Sequence, residues 1–160
     1  MKIVINSCYG GFSLSPLATK MIAKLQGKKC YFFETDFSCG MGSFRQKPLT
    51  LEEATKKKVF FSSYSVANPD EYLKREKEWN EMSDKEKELY NKKYEEINLN
   101  YRDIPRNDPL LLRVVKELGA KEASGGCALL KIITIPDDVE WEIEEYDGLE
   151  HVAEKHRTWP

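Results

Sequence analysis

The sequence predicts an α/β or α+β fold: a single domain over residues 1–160, with a mixed sheet, flanking helices and a polar, helix-rich insertion at 37–100. Three observations carry this reading. Residues 1–6 (MKIVIN) are a short apolar run that ends at a Gly-Gly turn, and 128–135 (ALLKIITI) are a second run rich in β-branched residues. Leu17, Met21, Ile22 and Leu25 follow the first run at i, i+4, i+5 and i+8, a core-facing helical stripe. Between the two ends lies KREKEWNEMSDKEKELYNKKYEE, in which Lys and Glu alternate as on solvated helix faces.

Each element has local punctuation. Ser15 is the N-cap of the first helix, Pro16 takes its first position, and Gly27 ends it. Residues 30–34 (CYFFE) read as a second buried strand, and a β-α-β start favours a parallel pair with a right-handed crossover. Within the insertion, a loop at 38–43 precedes the capping box Thr50–Glu53, and 59–64 read as a strand. Two polar helices follow at 70–81 and 83–97. The second opens with the capping box Ser83–Glu86, and Tyr72, Trp79, Leu89 and Tyr94 are set to pack inward. Asp108 and Pro109 start a further helix, whose apolar face is Leu111, Val114, Val115 and Leu118 and whose stop is Gly119. Residues 128–135, the turn Pro136-Asp137-Asp138 and the alternating run 139–144 (VEWEIE) read as an antiparallel hairpin, followed by a tail at 146–159. The expected strands are thus about 2–6, 30–34, 129–135 and 139–145.

Composition narrows the function classes. The net charge of −2 gives no basic field for nucleic acid or an anionic membrane. No apolar run approaches the roughly 18 residues that span a bilayer, and the N-terminus lacks a signal-peptide layout. The expected location is the cytoplasm. Cys8, Cys30, Cys39 and Cys127 form no CxxC pair and read as reduced thiols; with only His151 and His156 to join them, neither a metal nor a cofactor is expected.

The working end is expected at the first glycine turn. A strand, a Gly-Gly turn and a capped helix N-terminus leave backbone N–H groups that can hold a phosphate or carboxylate. Asn6, Ser7, Tyr9, Gly10 and Gly11 would line that site, although a tight turn needing positive φ explains the glycines equally well. Arg102 and Arg106 flank Ile104-Pro105 and would supply bidentate charge, unless they are spent in ion pairs. Ser124-Gly125-Gly126-Cys127 is a second glycine turn that would stand opposite the first. His151, His156 and Arg157 lie among Glu150, Glu154 and Trp159, where an imidazole beside carboxylates can move protons. His156 and Arg157 are expected near the ligand, with Trp159 partly buried. No catalytic set is recognisable, so the reading leans away from an enzyme.

The strings MKIVINSCYGGFSLS, RNDPLLLRVVKELG and IPDDVEWEIEEYDGLEHVAEKHRTW resemble a family of small uncharacterised proteins encoded by bacteriophages and prophages. The resemblance covers the two ends, about half of the chain. It implies an accessory factor that counters bacterial immunity in the host cytoplasm, either by sequestering a nucleotide signal or by blocking a defence protein directly. The first expectation is therefore a binder of a nucleotide or nucleotide-derived signal. The alternative is a protein–protein inhibitor of a defence enzyme, acting through the Lys/Glu-rich helices or through an acidic face, since nine carboxylates lie between Asp137 and Glu154. A further alternative is a small enzyme acting on a nucleotide conjugate, with His151 or His156 as base. A homo-oligomer is compatible with all three.

Overall fold

The computed structural model describes residues 1–36, 45–56, 62–65 and 79–156. The chain is α+β. In order, its elements are β1 (Lys2–Asn6), α1 (Pro16–Leu25), β2 (Tyr31–Asp36), β3 (Arg45–Leu49), α2 (Leu51–Lys56), β4 (Ser62–Ser65), a 3₁₀ turn (Trp79–Glu81), α3 (Asp84–Ile97), α4 (Pro109–Ala123), β5 (Leu130–Thr134), β6 (Trp141–Tyr146) and β7 (Leu149–Glu154). They divide into two compact units, residues 1–22 with 101–160 and residues 23–100.

In the first unit β1 lies antiparallel to β5, with Val4 opposite Ile132 and Asn6 opposite Leu130. Ile3, Val4, Asn6 and Leu130 are wholly buried. The helix α4 lies against both strands and buries Leu111, Val114 and Val115. Each such side chain contributes roughly 1.5–3 kcal/mol when removed from water. Asp108 caps α4, its Oδ1 accepting from Leu110 N at 2.8 Å and Leu111 N at 2.9 Å. Gly119, at φ 76°, breaks the helix as expected, but one more turn continues to Ala123. Ser124 then joins helix to sheet, its hydroxyl oxygen accepting from Leu130 N at 2.8 Å. Ser15 caps α1 by accepting from Ala18 N at 3.0 Å. The segment before α1 runs beside the end of α4, with Ser15 N donating to Ala123 O (2.8 Å) and Gly125 N to Ser13 O (3.0 Å).

The second unit holds a sheet of order β3-β2-β4, both pairs antiparallel. Phe32, Leu49 and Ala54 form its small core, with Cys30 and Leu51 packed against it. Both capping boxes form. Thr50 N donates to Glu53 Oε2 at 2.7 Å while Glu53 N donates back to Thr50 Oγ1 at 3.2 Å, and Ser83 and Glu86 repeat the exchange. Trp79 meets Tyr90 edge to face at 5.8 Å, and the Lys87 ammonium sits over the indole. Leu89, expected inward, is 55% exposed. Cys39, the loop at 38–43, Tyr72 and most of the expected 70–81 helix lie outside the described residues, as does the side chain of Tyr94.

Three expectations are corrected. The sheet is not mixed: the described strands form three separate antiparallel sheets. Nor do β1 and β2 form a parallel pair. β2 finds two antiparallel neighbours inside its own unit, and the second flank of β1 is closed, because Val4 N donates to Arg106 O at 2.8 Å and Asn6 N to a Glu150 carboxylate oxygen at 2.7 Å. Finally, 128–135 and 139–145 do not pair with each other. β6 pairs with β7, inside what had read as a tail, because Asp147 and Gly148 both take positive φ (50° and 83°) and close a two-residue turn whose twist suits a hairpin. The second compact unit spans residues 23–100 and includes β2.

Gly148 and Gly27 provide a matched pair for stability. Their φ values are 83° and 71°, but a Cβ on Gly148 would lie 2.0 Å from Gly11 N, whereas one on Gly27 would meet nothing within 4 Å. In urea melts Gly27→Ala should lose about 1 kcal/mol, the left-handed backbone cost alone. Gly148→Ala should lose several times that or fail to fold.

Candidate interaction site at the turn end of the first unit

The expected site residues do gather at one end, but their bonding is inward. Asn6 is wholly buried and fully bonded. Its Nδ2 donates to Cys8 O (2.7 Å) and Gly148 O (2.6 Å), its Oδ1 accepts from Leu129 N (2.8 Å), and its backbone N donates to Glu150 Oε2 (2.7 Å). One side chain thus ties the end of β1 to the start of β5 and to the β6–β7 turn. Ser7 donates from both its backbone N and its hydroxyl to Leu129 O. A ligand would have to displace these bonds to reach either residue.

Arg106 comes within one carboxylate of Asn6. Its Nη2 donates to Glu150 Oε1 at 2.9 Å, and both side chains are largely buried. The guanidinium lies over Phe12, with Cζ 3.3 Å from the ring centroid, a cation–π contact. Its Nη1 is buried without a partner among the described residues. Burial lowers the Arg106 pKa from its ordinary value, against the opposing charge and hydrogen bond of Glu150 and the charges of Asp103 and Glu145. The cation is therefore already committed, in surroundings where acids outnumber it. Such a place is poor for a second anion.

The glycines are explained by close approach. A Cβ on Gly10, at φ 126°, would lie 2.4 Å from Cys127 O, and one on Gly125 would strike Ser13. Gly10 N donates to Asp147 O at 3.2 Å, and the Cys8 thiol to Cys127 O at 3.3 Å. The second glycine turn does stand opposite the first, as expected, but in direct contact with it. Turns 7–11, 124–129 and 146–149 are thus packed backbone against backbone. Phe12–Ser15 separate Gly11 from α1, so the first turn does not run straight into the helix N-terminus.

Each turn leaves one large apolar or aromatic side chain exposed. Tyr9 is 63% exposed, Leu129 46% and Tyr146 75%, one from each turn, and they are the large exposed hydrophobic residues described in this unit. Glu144, Glu145 and Asp147 are exposed beside them.

The remaining expected site residues are scattered. Arg102 is exposed in the segment before α4, and His156 is exposed just beyond β7. His151 is exposed on β7, its Nε2 2.9 Å from Glu144 Oε2 across the hairpin. Arg157 and Trp159 lie outside the described residues. No group of three or more His, Cys, Asp or Glu suited to a metal occurs among the described residues, and no described helix is long and apolar enough to cross a membrane. Glu150 and Gly148 escaped the sequence reading. The missed signal was Asp-Gly set between two alternating runs, WEIEEY and LEHVAE.

Removing one partner of a buried pair strands the other, so Glu150→Ala should cost about 3–5 kcal/mol. Arg106→Met combined with Glu150→Leu should recover only part of that loss, because Asn6 N stays buried without its acceptor, at a cost of about 1–3 kcal/mol. A double-mutant cycle from denaturant melts measures the coupling, and additive losses would show that the pair is not a unit.

No protein-family model, no curated protein and no solved structure matches the chain, which leaves the functional argument to this geometry.

Proposed function

We propose that the chain is a binding protein that docks a basic partner protein through the tyrosine-bearing, acid-rimmed end of its first unit. The observation that carries this is the exposure of Tyr9, Leu129 and Tyr146 on three turns packed against one another. Exposed apolar side chains on adjoining turns are the kind of surface that binds other proteins, and tyrosine is a favoured anchor. The rim is acidic and the nearest arginine is spent on Glu150, so positive charge is the complementary chemistry. The same facts weigh against the nucleotide reading. Its phosphates would meet Glu144, Glu145 and Asp147, and the Asn6 and Ser7 donors are already engaged. The resemblance of both ends to bacteriophage proteins supplies a setting, in which a bacterial defence enzyme is the protein such a surface would block.

Tyr9→Ser and Tyr146→Ser test the reading. Both side chains are exposed, so stability should change by no more than about 0.5 kcal/mol. A protein captured from bacterial lysate on the immobilised chain should bind the double variant at least roughly 30-fold more weakly, as for interface anchors. Binding should also weaken with added salt. Mass spectrometry of the denatured, purified protein is the counter-test. A nucleotide released in stoichiometric amount would overturn this proposal in favour of sequestration.

A further inference from the structure

We infer that the partner docks as an extended basic segment along the outer edge of β6, adding a third strand to the β6–β7 hairpin; this rests on the docking reading above. The edge is open. The hairpin is a two-stranded sheet, and among the described residues no strand pairs with the far side of β6. The ladder shows which groups face outward. Lys155 N donates to Glu140 O at 2.9 Å, and the register sets Glu142 opposite Ala153, Glu144 opposite His151 and Tyr146 opposite Leu149. In an antiparallel ladder, bonded pairs alternate with non-bonded ones. The N–H and C=O groups of 140, 142, 144 and 146 therefore turn toward β7, and those of Trp141, Ile143 and Glu145 turn away from it. They offer a row of donors and acceptors to another strand.

The side chains define the occupant. Glu142, Glu144 and Tyr146 share one exposed face of the hairpin, while Trp141, Ile143 and Val152 are half-buried on the other. Residues two apart on a strand are spaced by about 7 Å. A segment with Lys or Arg at every second position would place its cations beside Glu142 and Glu144, and one more would reach the ring of Tyr146. Opposite charges on neighbouring strands favour pairing, and like charges oppose it. A second copy of this chain is therefore disfavoured, because its own β6 would bring glutamates against glutamates. Charge selects a basic strand from another protein.

The probes are synthetic heptapeptides tested on the full chain: alternating Lys-Val, the same composition with the lysines clustered, and the alternating peptide N-methylated at every second residue. Amide hydrogen exchange by NMR reads the edge directly. The alternating peptide should slow exchange at Trp141, Ile143 and Glu145 by about tenfold, while the already bonded 142, 144 and 146 amides change little. Glu142→Lys should weaken binding by about fivefold to tenfold, and N-methylation should abolish it. Equal binding of the clustered peptide, or unchanged exchange at the three edge amides, overturns strand addition. If binding then still depends on Tyr9 and Tyr146, the docking reading survives without it. If binding ignores both the tyrosines and the edge, both fall.

Discussion

The Glu150 carboxylate is the contact on which the first unit depends. One oxygen accepts from Asn6 N, 144 residues away in sequence, and the other from Arg106, 44 residues away. A buried carboxylate loses its hydration, and it is tolerated only where good partners replace the water. Here one carboxylate satisfies an otherwise unpaired N–H on the flank of β1 and neutralises a guanidinium lying over Phe12. A hydrophobic pair of equal volume can be as stable as a buried ion pair. What the charged pair adds is register. Shifting β7 by one residue would bring Leu149 or His151 to this position and leave both Arg106 and Asn6 N unpaired. The hairpin is thus held in one alignment by the cost of every other.

Fixing β7 also fixes what faces solvent. With Glu150 turned inward, His151 and its cross-strand neighbour Glu144 fall on the other face, together with Glu142 and Tyr146. The turn that links the strands is pressed onto the Gly10-Gly11 backbone, and Cys127 closes the same junction. Three turns packed backbone against backbone restrict one another, and a pre-organised surface would lose less entropy on binding. Folding does not require Tyr9 or Tyr146 to be aromatic, since both rings stand mostly in water.

Local chemistry was legible in the sequence, and partnership was not. Ser15, Thr50, Ser83 and Asp108 announced their caps because an N-cap bonds within three residues of itself. Strands form close to the expected positions, but β3 and β7 arise where none was expected. Strand pairing, by contrast, is set by groups far apart in sequence. Nothing near 1–6 says that its second flank will be closed by Arg106 O and Glu150 rather than by β2. Pro136-Asp137-Asp138 drew the expected hairpin to 128–145, whereas Asp147 and Gly148, both at positive φ, supply the turn that closes one. From sequence alone the glycine turns fit a ligand site or a tight turn equally well, and here they make room for one another. That distinction depends on what packs against a glycine, which its neighbours in sequence do not encode. Glu150 was hidden for a related reason: within an alternating acidic run, one inward glutamate looks like the outward ones.

The charge pattern then bears on specificity as much as on affinity. Fields from exposed carboxylates fade over about 8 Å at physiological ionic strength, so the chain's net charge says little about its partner. On the proposed docking reading, what counts is the local set: Glu142, Glu144, Glu145 and Asp147 are exposed on the hairpin that carries Tyr146, and Arg106 is already paired with Glu150. Such a set would disfavour polyphosphates and a second copy of itself, and would favour a surface whose cations and apolar groups alternate. Exposed acidic side chains guard a sheet edge against indiscriminate pairing. On β6 they stand on the same face as an exposed tyrosine, so the charges that block most strands are the ones that would select a basic one.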